Sequence, residues 1–359
     1  MNSANETILH VDLNKLEQNF NYLKAKLNAD TKIIGVVKAY AYGHGDVTIS
    51  KKLEKLGVYA LWVSDFNEGR ILRKSGINTK IIVANSGMKS YNEIIKYGLD
   101  VILYNNNLLD LYCSKKNEVN IHVKFNTGMN RYGFNANQVE SIVSKIKNNP
   151  HLKLKSICSH LAASDDKNKD NYTLSQIKSF KKISKKFSFI LGKNIDAHLL
   201  NSHGVLNFPN YHMQAVRIGI GLYGSTNDEN LKQISSLISV ISQTRNLNRG
   251  EYVGYGTTFV AKEKITIGII PVGYADGINR QLSNNNGSVF VNNCKCPIIG
   301  KISMDSFAID ITKCNAKERD AVEIFGMNLT VSEISKKINT IPYEIYSTLN
   351  KRIKRVYSD

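Results

Sequence analysis

KIIGVVKAYAYGHGDVTISKKLEKLG, residues 32–57, joins an apolar, β-branched run to an amphipathic segment of helical period. This order is typical of a strand followed by a helix. Seven more apolar runs follow, and the segments between them are long enough to hold helices. They cover residues 59–64, 80–86, 100–105, 119–126, 154–161, 197–202 and 214–221. Eight buried-looking strands with such crossovers predict an α/β fold, a parallel (β/α)8 barrel of the TIM type.

The pattern of apolar runs and helix-like segments changes after about residue 230. Short β-rich segments separated by glycine or asparagine turns take over, and one helix-like segment, residues 332–339, stands near the end. The β-rich segments are residues 239–245, 264–274, 287–293, 296–302, 307–311 and 321–325. We therefore predict a barrel domain over residues 1–229 and a mostly β C-terminal domain over residues 230–359.

Composition favours a globular protein without a membrane segment. The 359 residues are 42% hydrophobic, which is enough for a large core. No run reaches the roughly 18 apolar residues of a membrane span, and the start has no signal-peptide pattern, so we expect a cytoplasmic protein. The five cysteines are scattered, and only two are close in sequence, which predicts reduced thiols and no metal site.

The net charge of +18 raises the possibility of a nucleic-acid partner. However, the excess is mostly lysine mixed with asparagine and isoleucine along the whole chain, and no stripe of arginine and aromatic residues marks a nucleic-acid face. We expect no nucleic-acid partner. A steep salt dependence of DNA binding would reverse this expectation.

Polar side chains cluster at the ends of the predicted barrel strands, where barrels carry their chemistry. An unpaired cation is costly to bury, so several cations at apolar strand ends indicate a functional site. Ser202, Tyr42 and the backbone of residues 217–221 could bind a phosphate-bearing cofactor. The candidate residues are Lys38, Asn85, Tyr104, Lys124, Arg131, His160, Ser202, Arg217, Gly219 and Gly221.

The sequence resembles the pyridoxal-phosphate-dependent alanine racemases along nearly its whole length. The blocks that carry the resemblance are VVKAYAYGHG (36–45), VKFNTGMNRYGF (123–134), SHLAASDD (159–166), NS (201–202), VRIGIGLYG (216–224), VGYGTTF (253–259), PVGYADGINR (271–280), GKISMDSF (300–307) and IPYEI (341–345). The resemblance implies a cytoplasmic homodimer with shared active sites. It also implies that the dimer interconverts L-alanine and D-alanine for peptidoglycan synthesis.

The resemblance also assigns the catalytic roles. Lys38 would form a Schiff base with pyridoxal 5'-phosphate and then act as one base. Tyr255 would be the second base, and a phenol with an ordinary pKa of about 10 needs a supporting neighbour for this role. The family resemblance gives that support to His160 and Arg217.

The remaining roles concern binding. Arg217 would contact the pyridine nitrogen and keep it unprotonated, which weakens the electron sink and disfavours transamination. Arg131 would contact the phenolic oxygen of the cofactor and the substrate, and the amide of Met304 would meet the substrate carboxylate. The phosphate would be held by Tyr42, Ser202, Gly219, Ile220 and Tyr343.

Four positions bear on departures from the family pattern or on modification. Asn126 stands where the family usually has an aspartate, which leaves open whether its loop keeps the usual polar support. Lys124 matches a lysine that is often carbamylated to orient Arg131, and an unmodified Lys124 would repel that arginine. Ser303 stands where many members of the family have cysteine. Tyr40 stands where asparagine or aspartate is common.

Three other functions remain possible at this point. An amino-acid decarboxylase of the same fold would share Lys38, a histidine and the phosphate loop, but Tyr255 and the GKISMD block favour a racemase. A racemase of broader specificity would differ only in the substrate pocket, where one methylene is worth about 1 to 3 kcal/mol. A non-catalytic cofactor-carrying barrel would lack the second domain.

Overall fold

The computed structural model describes residues 5–359. The strands are β1 Ile8–Asp12, β2 Lys32–Val36, β3 Ala60–Val63, β4 Lys80–Val83, β5 Asp100–Leu103, β6 Val119–Lys124, β7 Leu152–Cys158, β8 Asp196–His198, β9 Ala215–Ile218, β10 Ser235–Val240, β11 Gln243–Leu247, β12 Tyr252–Val253, β13 Phe259–Val260, β14 Ile265–Ile270, β15 Ser288–Val291, β16 Cys294–Ile299, β17 Phe307–Asp310, β18 Ala321–Phe325 and β19 Lys354–Ser358. The helices are α1 Leu13–Ala25, α2 Lys38–Tyr42, α3 Asp46–Lys55, α4 Phe66–Lys74, α5 Tyr91–Lys96, α6 Asn106–Ser114, α7 Val139–Lys147, α8 Asp170–Leu191, α9 Ser202–Asn207, α10 Val331–Lys337 and α11 Pro342–Thr348.

The eight predicted barrel strands are confirmed as β2 to β9. Each pairs in parallel with the next, and β9 closes the barrel on β2, with Arg217 opposite Ile34. All four residues of β3, and all four of β5, are buried. This burial on both faces is why the strands read as continuous apolar runs rather than as alternating patterns. The barrel belongs to a compact unit of residues 17–41 and 46–222.

The barrel places polar side chains together at one end. Lys38 comes two residues after β2, Lys124 is the last residue of β6, and His160 comes two residues after β7. Ser202 follows β8, and Arg217 lies within β9. Because parallel strands of a barrel all end at the same face, these residues share the face where barrel enzymes hold their substrates.

The second compact unit is mostly β, as predicted, and its main sheet has nine strands. It joins residues 5–16 and 42–45 to residues 223–359. Strand β1, which the sequence pattern did not predict, lies in this sheet between β10 and β19. The Arg355 side chain also donates to the carbonyl of Gly43 over 2.9 Å. The sheet order is β11-β14-β17-β16-β15-β18-β10-β1-β19, and β12 and β13 form a separate hairpin.

Two details of the C-terminal prediction are wrong, and one stays open. Residues 332–339 are not the single helical segment near the end, because α11 follows α10 after a short loop. Residues 239–245 do not form one segment either, since the chain leaves β10 and enters β11 in a different part of the sheet. The boundary between residues 229 and 230 stays a prediction, and residues 1–4 of that first domain lie outside the described part.

The helices give no sign of a membrane segment. Within residues 5–359, no helix combines the length and apolar character that crossing a bilayer requires.

Candidate active site

Lys38 begins a left-handed turn that a neighbouring carboxylate secures. Ala39, Tyr40, Ala41 and Tyr42 have φ angles between 50 and 57°, a conformation that costs L-residues roughly 1–2 kcal/mol each. The Ala39 amide donates to Glu68 Oε1 over 2.7 Å, and the Ser64 amide donates to Glu68 Oε2 over 2.6 Å. Glu68 therefore ties the backbone that follows Lys38 to the end of the next strand.

The amine of Lys38 has a lowered pKa. Burial is the main cause, the positive charge of Arg131 lowers the pKa further, and Glu68 partly opposes both. A lowered pKa increases the fraction of uncharged amine, which is the form that attacks a carbonyl carbon. This environment suits a lysine that acts as a nucleophile and as a base.

Arg217 lies at the centre of the site and is 4% exposed. Its Nη1 donates to His198 Nδ1 over 2.5 Å, and its Nη2 donates to His160 Nδ1 over 3.0 Å. Backbone carbonyls accept its other Nη hydrogen bonds, and they belong to Ser159, His198 and Leu199. Among residues 5–359, no group accepts a hydrogen bond from Nε of Arg217. That donor is available to an acceptor from outside the chain.

The contact with Arg217 fixes the protonation state of His160. A guanidinium only donates, so Nδ1 of His160 carries a lone pair and its proton lies on Nε2. Burial, followed by the charge of Arg217, holds the pKa of His160 well below its usual value. His160 is therefore a neutral imidazole with one N–H to offer.

Lys124 and Arg131 line a small pocket together with Ser159 and His160. Burial lowers the pKa of Lys124 to about 8, and the nearby charge of Arg217 contributes to this shift. Asn126 gives polar support to its own loop. Its Oδ1 accepts from the amides of Gly128 and Asn130 over 3.1 and 3.0 Å, and its Nδ2 donates to the Asn130 side chain.

Ser202 organises the loop after β9. Its Oγ accepts from the amides of Gly219 and Gly221 over 2.9 and 3.1 Å, and the side chain is 2% exposed. Because both lone pairs of the hydroxyl are used, its proton is free to donate to an anion. A Cβ at Gly221 would approach Ser202 Oγ to 3.3 Å, so this close contact favours glycine.

Tyr42 and Tyr343, both predicted phosphate ligands, lie together in the β unit. Their ring centroids are 5.7 Å apart. Burial raises the pKa of Tyr42, and Tyr343 adds to the effect. Tyr42 is therefore a neutral phenol at any physiological pH, and its hydroxyl can donate to a phosphate.

The β unit presents Tyr255 and Met304 to the surface. They are 72% and 54% exposed, respectively. Tyr255 stands between Gly254 and Gly256, which both have positive φ angles. The structure therefore groups the predicted site residues in two sets, one in each compact unit.

Some residues of the site were missed by the sequence analysis. Arg352 holds the turn that carries Met304, because it donates to Asp276 Oδ1 over 2.5 Å and to Asp305 Oδ1 over 2.6 Å. Glu68 and His198 were also missed. The Asp-x-x-Glu spacing of Asp65 and Glu68 marks a helix start, but no sequence signal connects Glu68 with Lys38.

Comparison with known proteins covers both units. Residues 11–227 match the alanine racemase N-terminal domain family, and residues 234–357 match the alanine racemase C-terminal domain family. Alanine racemase 2 of Caldanaerobacter subterraneus subsp. tengcongensis is 33% identical over 98% of this chain and 94% of its own length.

Solved structures agree with this match. The alanine racemase of Clostridium difficile 630 superposes with a TM-score of 0.92 at 30% identity, over 99% of this chain and 97% of that one. The alanine racemase from Bartonella henselae has a TM-score of 0.90 at 28% identity, over 99% of this chain and 100% of that one, and it carries covalently bound pyridoxal phosphate.

Proposed function

The chain belongs to the alanine racemase family, and we propose that Lys38 and Tyr255 are the two bases of its reaction. It is a pyridoxal-phosphate-dependent enzyme that interconverts L-alanine and D-alanine, a role consistent with the supply of D-alanine for peptidoglycan. The assignment of roles to residues rests mainly on one observation: buried Arg217 donates to His160 beside a lysine of lowered pKa.

The residues present fit pyridoxal 5'-phosphate. Lys38 offers an amine of lowered pKa for the covalent bond, and Nε of Arg217, which has no acceptor within residues 5–359, offers a donor for the ring nitrogen. The Ser202 hydroxyl and the turn at Gly219 and Ile220 would hold the phosphate, and Tyr42 and Tyr343 stay predicted as further ligands. When bound, the cofactor accepts the electron pair released as the α-proton leaves.

The two bases serve opposite faces of the substrate. Lys38 Nζ takes or returns the α-proton on one face, and the Tyr255 oxygen does so on the other. Removal by one base and return by the other inverts the α-carbon. The neutral Nε2–H of His160 can donate to the Tyr255 oxygen, and such a hydrogen bond lowers the pKa of a phenol. Arg217, which stays charged, orients His160 for this contact.

Arg217 also limits the chemistry at the ring nitrogen. Its positive charge disfavours protonation of any nitrogen that accepts from its Nε. By keeping that nitrogen unprotonated, Arg217 would weaken the electron sink and would disfavour side reactions such as transamination. Arg131, beside Lys124, and the amide of Met304 would orient the substrate through its carboxylate.

The active unit is a homodimer with shared sites. Tyr255 is 72% exposed and Met304 is 54% exposed, although a base and a substrate ligand need a site closed to water. A second chain that covers them would supply that closure, and each site would then combine Lys38 of one chain with Tyr255 and Met304 of the other. The cytoplasmic location stays a prediction.

A racemisation assay tests this function. Purified protein with pyridoxal phosphate should convert L-alanine to the racemate, and in D2O the α-position should take up deuterium, since separate bases exchange protons with solvent. A panel of other L-amino acids distinguishes an alanine enzyme from a broader racemase. Release of carbon dioxide without D-alanine would instead identify a decarboxylase.

A further inference from the structure

Five buried polar side chains lie on five consecutive strands of the barrel. Each is 5% exposed or less. They are Asp100 on β5, His122 on β6, Ser156 on β7, His198 on β8 and Arg217 on β9. Only Arg217 belongs to the predicted site.

Hydrogen bonds connect these side chains from strand to strand. Asp100 Oδ2 lies 3.3 Å from His122 Nε2, and His122 Nδ1 lies 2.6 Å from Ser156 Oγ. Ser156 Oγ lies 3.1 Å from His198 Nε2, and His198 Nδ1 lies 2.5 Å from Arg217 Nη1. We refer to the five residues as the Asp100–Arg217 chain.

The two ends determine the direction of every hydrogen bond in this chain. Arg217 only donates, so His198 accepts at Nδ1 and donates from Nε2 to Ser156. The single proton of Ser156 then goes to His122 Nδ1. His122 donates from Nε2 to the Asp100 carboxylate, which only accepts. With both imidazoles neutral, each donor has an acceptor.

A doubly protonated His122 does not fit the same geometry. Ser156 would then receive N–H donors from both histidines, and its own proton would have no acceptor within the Asp100–Arg217 chain. Burial and the charge of Arg217 also lower the pKa of His198, so that imidazole is neutral. Asp100 has two further neighbours, the Asn120 amide at 2.9 Å and the positive charge of Arg73.

Arg217 needs such an anchor because no carboxylate of the described residues contacts it. None of the ion pairs among residues 5–359 includes Arg217, and its Nη atoms contact carbonyls and imidazoles alone. The guanidinium is planar, so fixing Nη1 and Nη2 also fixes the direction of Nε–H. The Asp100–Arg217 chain holds Nη1 through His198, and His160 and two backbone carbonyls hold Nη2.

We propose that the Asp100–Arg217 chain positions Arg217 for the cofactor, and that Asp100, His122, Ser156 and His198 are positioning residues. Asp100 is the remote anion of the chain, and Ser156 is its central link. The inference rests on the proposed function, in which Nε of Arg217 meets the ring nitrogen. None of the four residues is assigned a contact with the substrate.

Ser156→Ala is the most direct test, with Ser90→Ala as its matched control. Ser90 is also a buried serine of the barrel unit, and its hydroxyl donates to the Ser86 carbonyl without contacting the chain. In the holoenzyme, Ser156→Ala should lower kcat and weaken cofactor binding, each on the order of tenfold, with KM nearly unchanged. Ser90→Ala should change each by less than about twofold.

Two spectroscopic readouts separate positioning from general stability. The absorption maximum of the bound cofactor should shift in Ser156→Ala, because its ring nitrogen loses a fixed donor, and should not shift in Ser90→Ala. In the wild-type holoenzyme, 15N NMR of labelled histidine should show His122 and His198 as neutral imidazoles protonated at Nε2, with signals assigned by His122→Gln and His198→Gln.

Several outcomes would overturn the inference. A doubly protonated His122, or a Ser156→Ala enzyme with unchanged kcat, cofactor affinity and absorption maximum, would contradict it. If Ser156→Ala does not fold, the isosteric variant Asp100→Asn is tested in its place. An unaltered absorption maximum and kcat in Asp100→Asn would also contradict the inference. Failure of the wild-type protein to racemise alanine would instead contradict the proposed function. The NMR result would still test the hydrogen-bond directions of the Asp100–Arg217 chain.

Discussion

Arg217 Nη2 donates to His160 Nδ1 over 3.0 Å. This contact places a permanent cation against a histidine that must then be neutral and protonated at Nε2. It also connects the residue proposed to contact the cofactor with the residue proposed to support the second base. Much of the chemistry of the site therefore depends on one short contact between β9 and the loop after β7.

Neutral buried histidines predict how stability depends on pH. The pKa values of His160 and His198 lie well below their usual value when the chain is folded. Below about pH 6.5 the unfolded chain therefore binds protons that the folded chain does not. The free energy of unfolding should fall by about 1.4 kcal/mol per pH unit for each such histidine.

Urea unfolding at pH 7.0, 6.5, 6.0 and 5.5 checks this slope. The glutamine side chain in the variant His198→Gln can keep both hydrogen bonds but does not titrate. The free energy of unfolding of this variant should therefore change less steeply with pH, by the contribution of one histidine. His203 and His212 also have lowered pKa values and contribute to both proteins alike. Identical slopes for the wild type and His198→Gln would show that His198 titrates normally in the folded chain.

Lys38 should carry the cofactor. Borohydride reduction followed by peptide mapping should place the pyridoxyl group on Lys38, and Lys38→Ala should lose the visible absorbance of the bound cofactor. Lys124 is the informative comparison, since its pKa is lowered to about 8 at the same face of the barrel. We expect Lys124→Met to keep the label, and a label on Lys124 would refute the assignment of Lys38.

Removal of the Ser202 hydroxyl should weaken cofactor binding and destabilise the barrel. In Ser202→Ala the amides of Gly219 and Gly221 lose their acceptor. We expect the free energy of unfolding to fall by about 1–3 kcal/mol and the cofactor dissociation constant to rise by roughly tenfold.

The matched control is Ser50→Ala. Ser50 is fully buried too, but its hydroxyl has no hydrogen-bond partner within residues 5–359. This variant should stay within about 0.5 kcal/mol of the wild type and keep its cofactor affinity. Equal effects of the two substitutions would remove Ser202 from the phosphate site.

Arg352 should act on substrate binding through the turn at Met304. Arg352→Gln breaks the ion pairs with Asp276 and Asp305, so the Met304 amide should lose its fixed direction. Steady-state kinetics should show KM for alanine raised by roughly three- to tenfold with kcat changed by less than about twofold. Lys354→Gln, which removes an equal charge from an exposed residue at the start of β19, should leave KM unchanged. A fall in kcat at constant KM would contradict this role.

The barrel could be predicted from sequence because its strands are buried on both faces. Each reads as a continuous apolar run, and the intervening helices separate the runs clearly. Strand β1 lacked such a signal. It has only five residues, and its partners β10 and β19 lie more than 200 residues away in sequence. Helix α11 is seven residues long and begins with Pro342, so its apolar period was too short to identify.

The candidate site also has residues that the sequence could predict and residues that it could not. Strand ends marked Lys38 and Ser202, and the family resemblance gave roles to Arg217 and Tyr255. The support of Ala39 by Glu68 and the Asp100–Arg217 chain could not be predicted. Both depend on the register between neighbouring strands and on side-chain direction, which no local pattern encodes. These supporting residues are the part of the site that only the structure reveals.

The central claim is that each active site combines Lys38 of one chain with Tyr255 of another. Lys38→Ala and Tyr255→Phe homodimers should each be nearly inactive in racemisation, because every site lacks one base. A heterodimer of the two variants would contain one site with both lesions and one site with none.

Co-expression of the two variants with different affinity tags, followed by purification on both tags, isolates that heterodimer. If its sites act independently, racemisation of alanine should return at about half the wild-type rate per dimer. No recovery in a preparation proven to contain heterodimers would contradict the shared site and place both bases in a single chain.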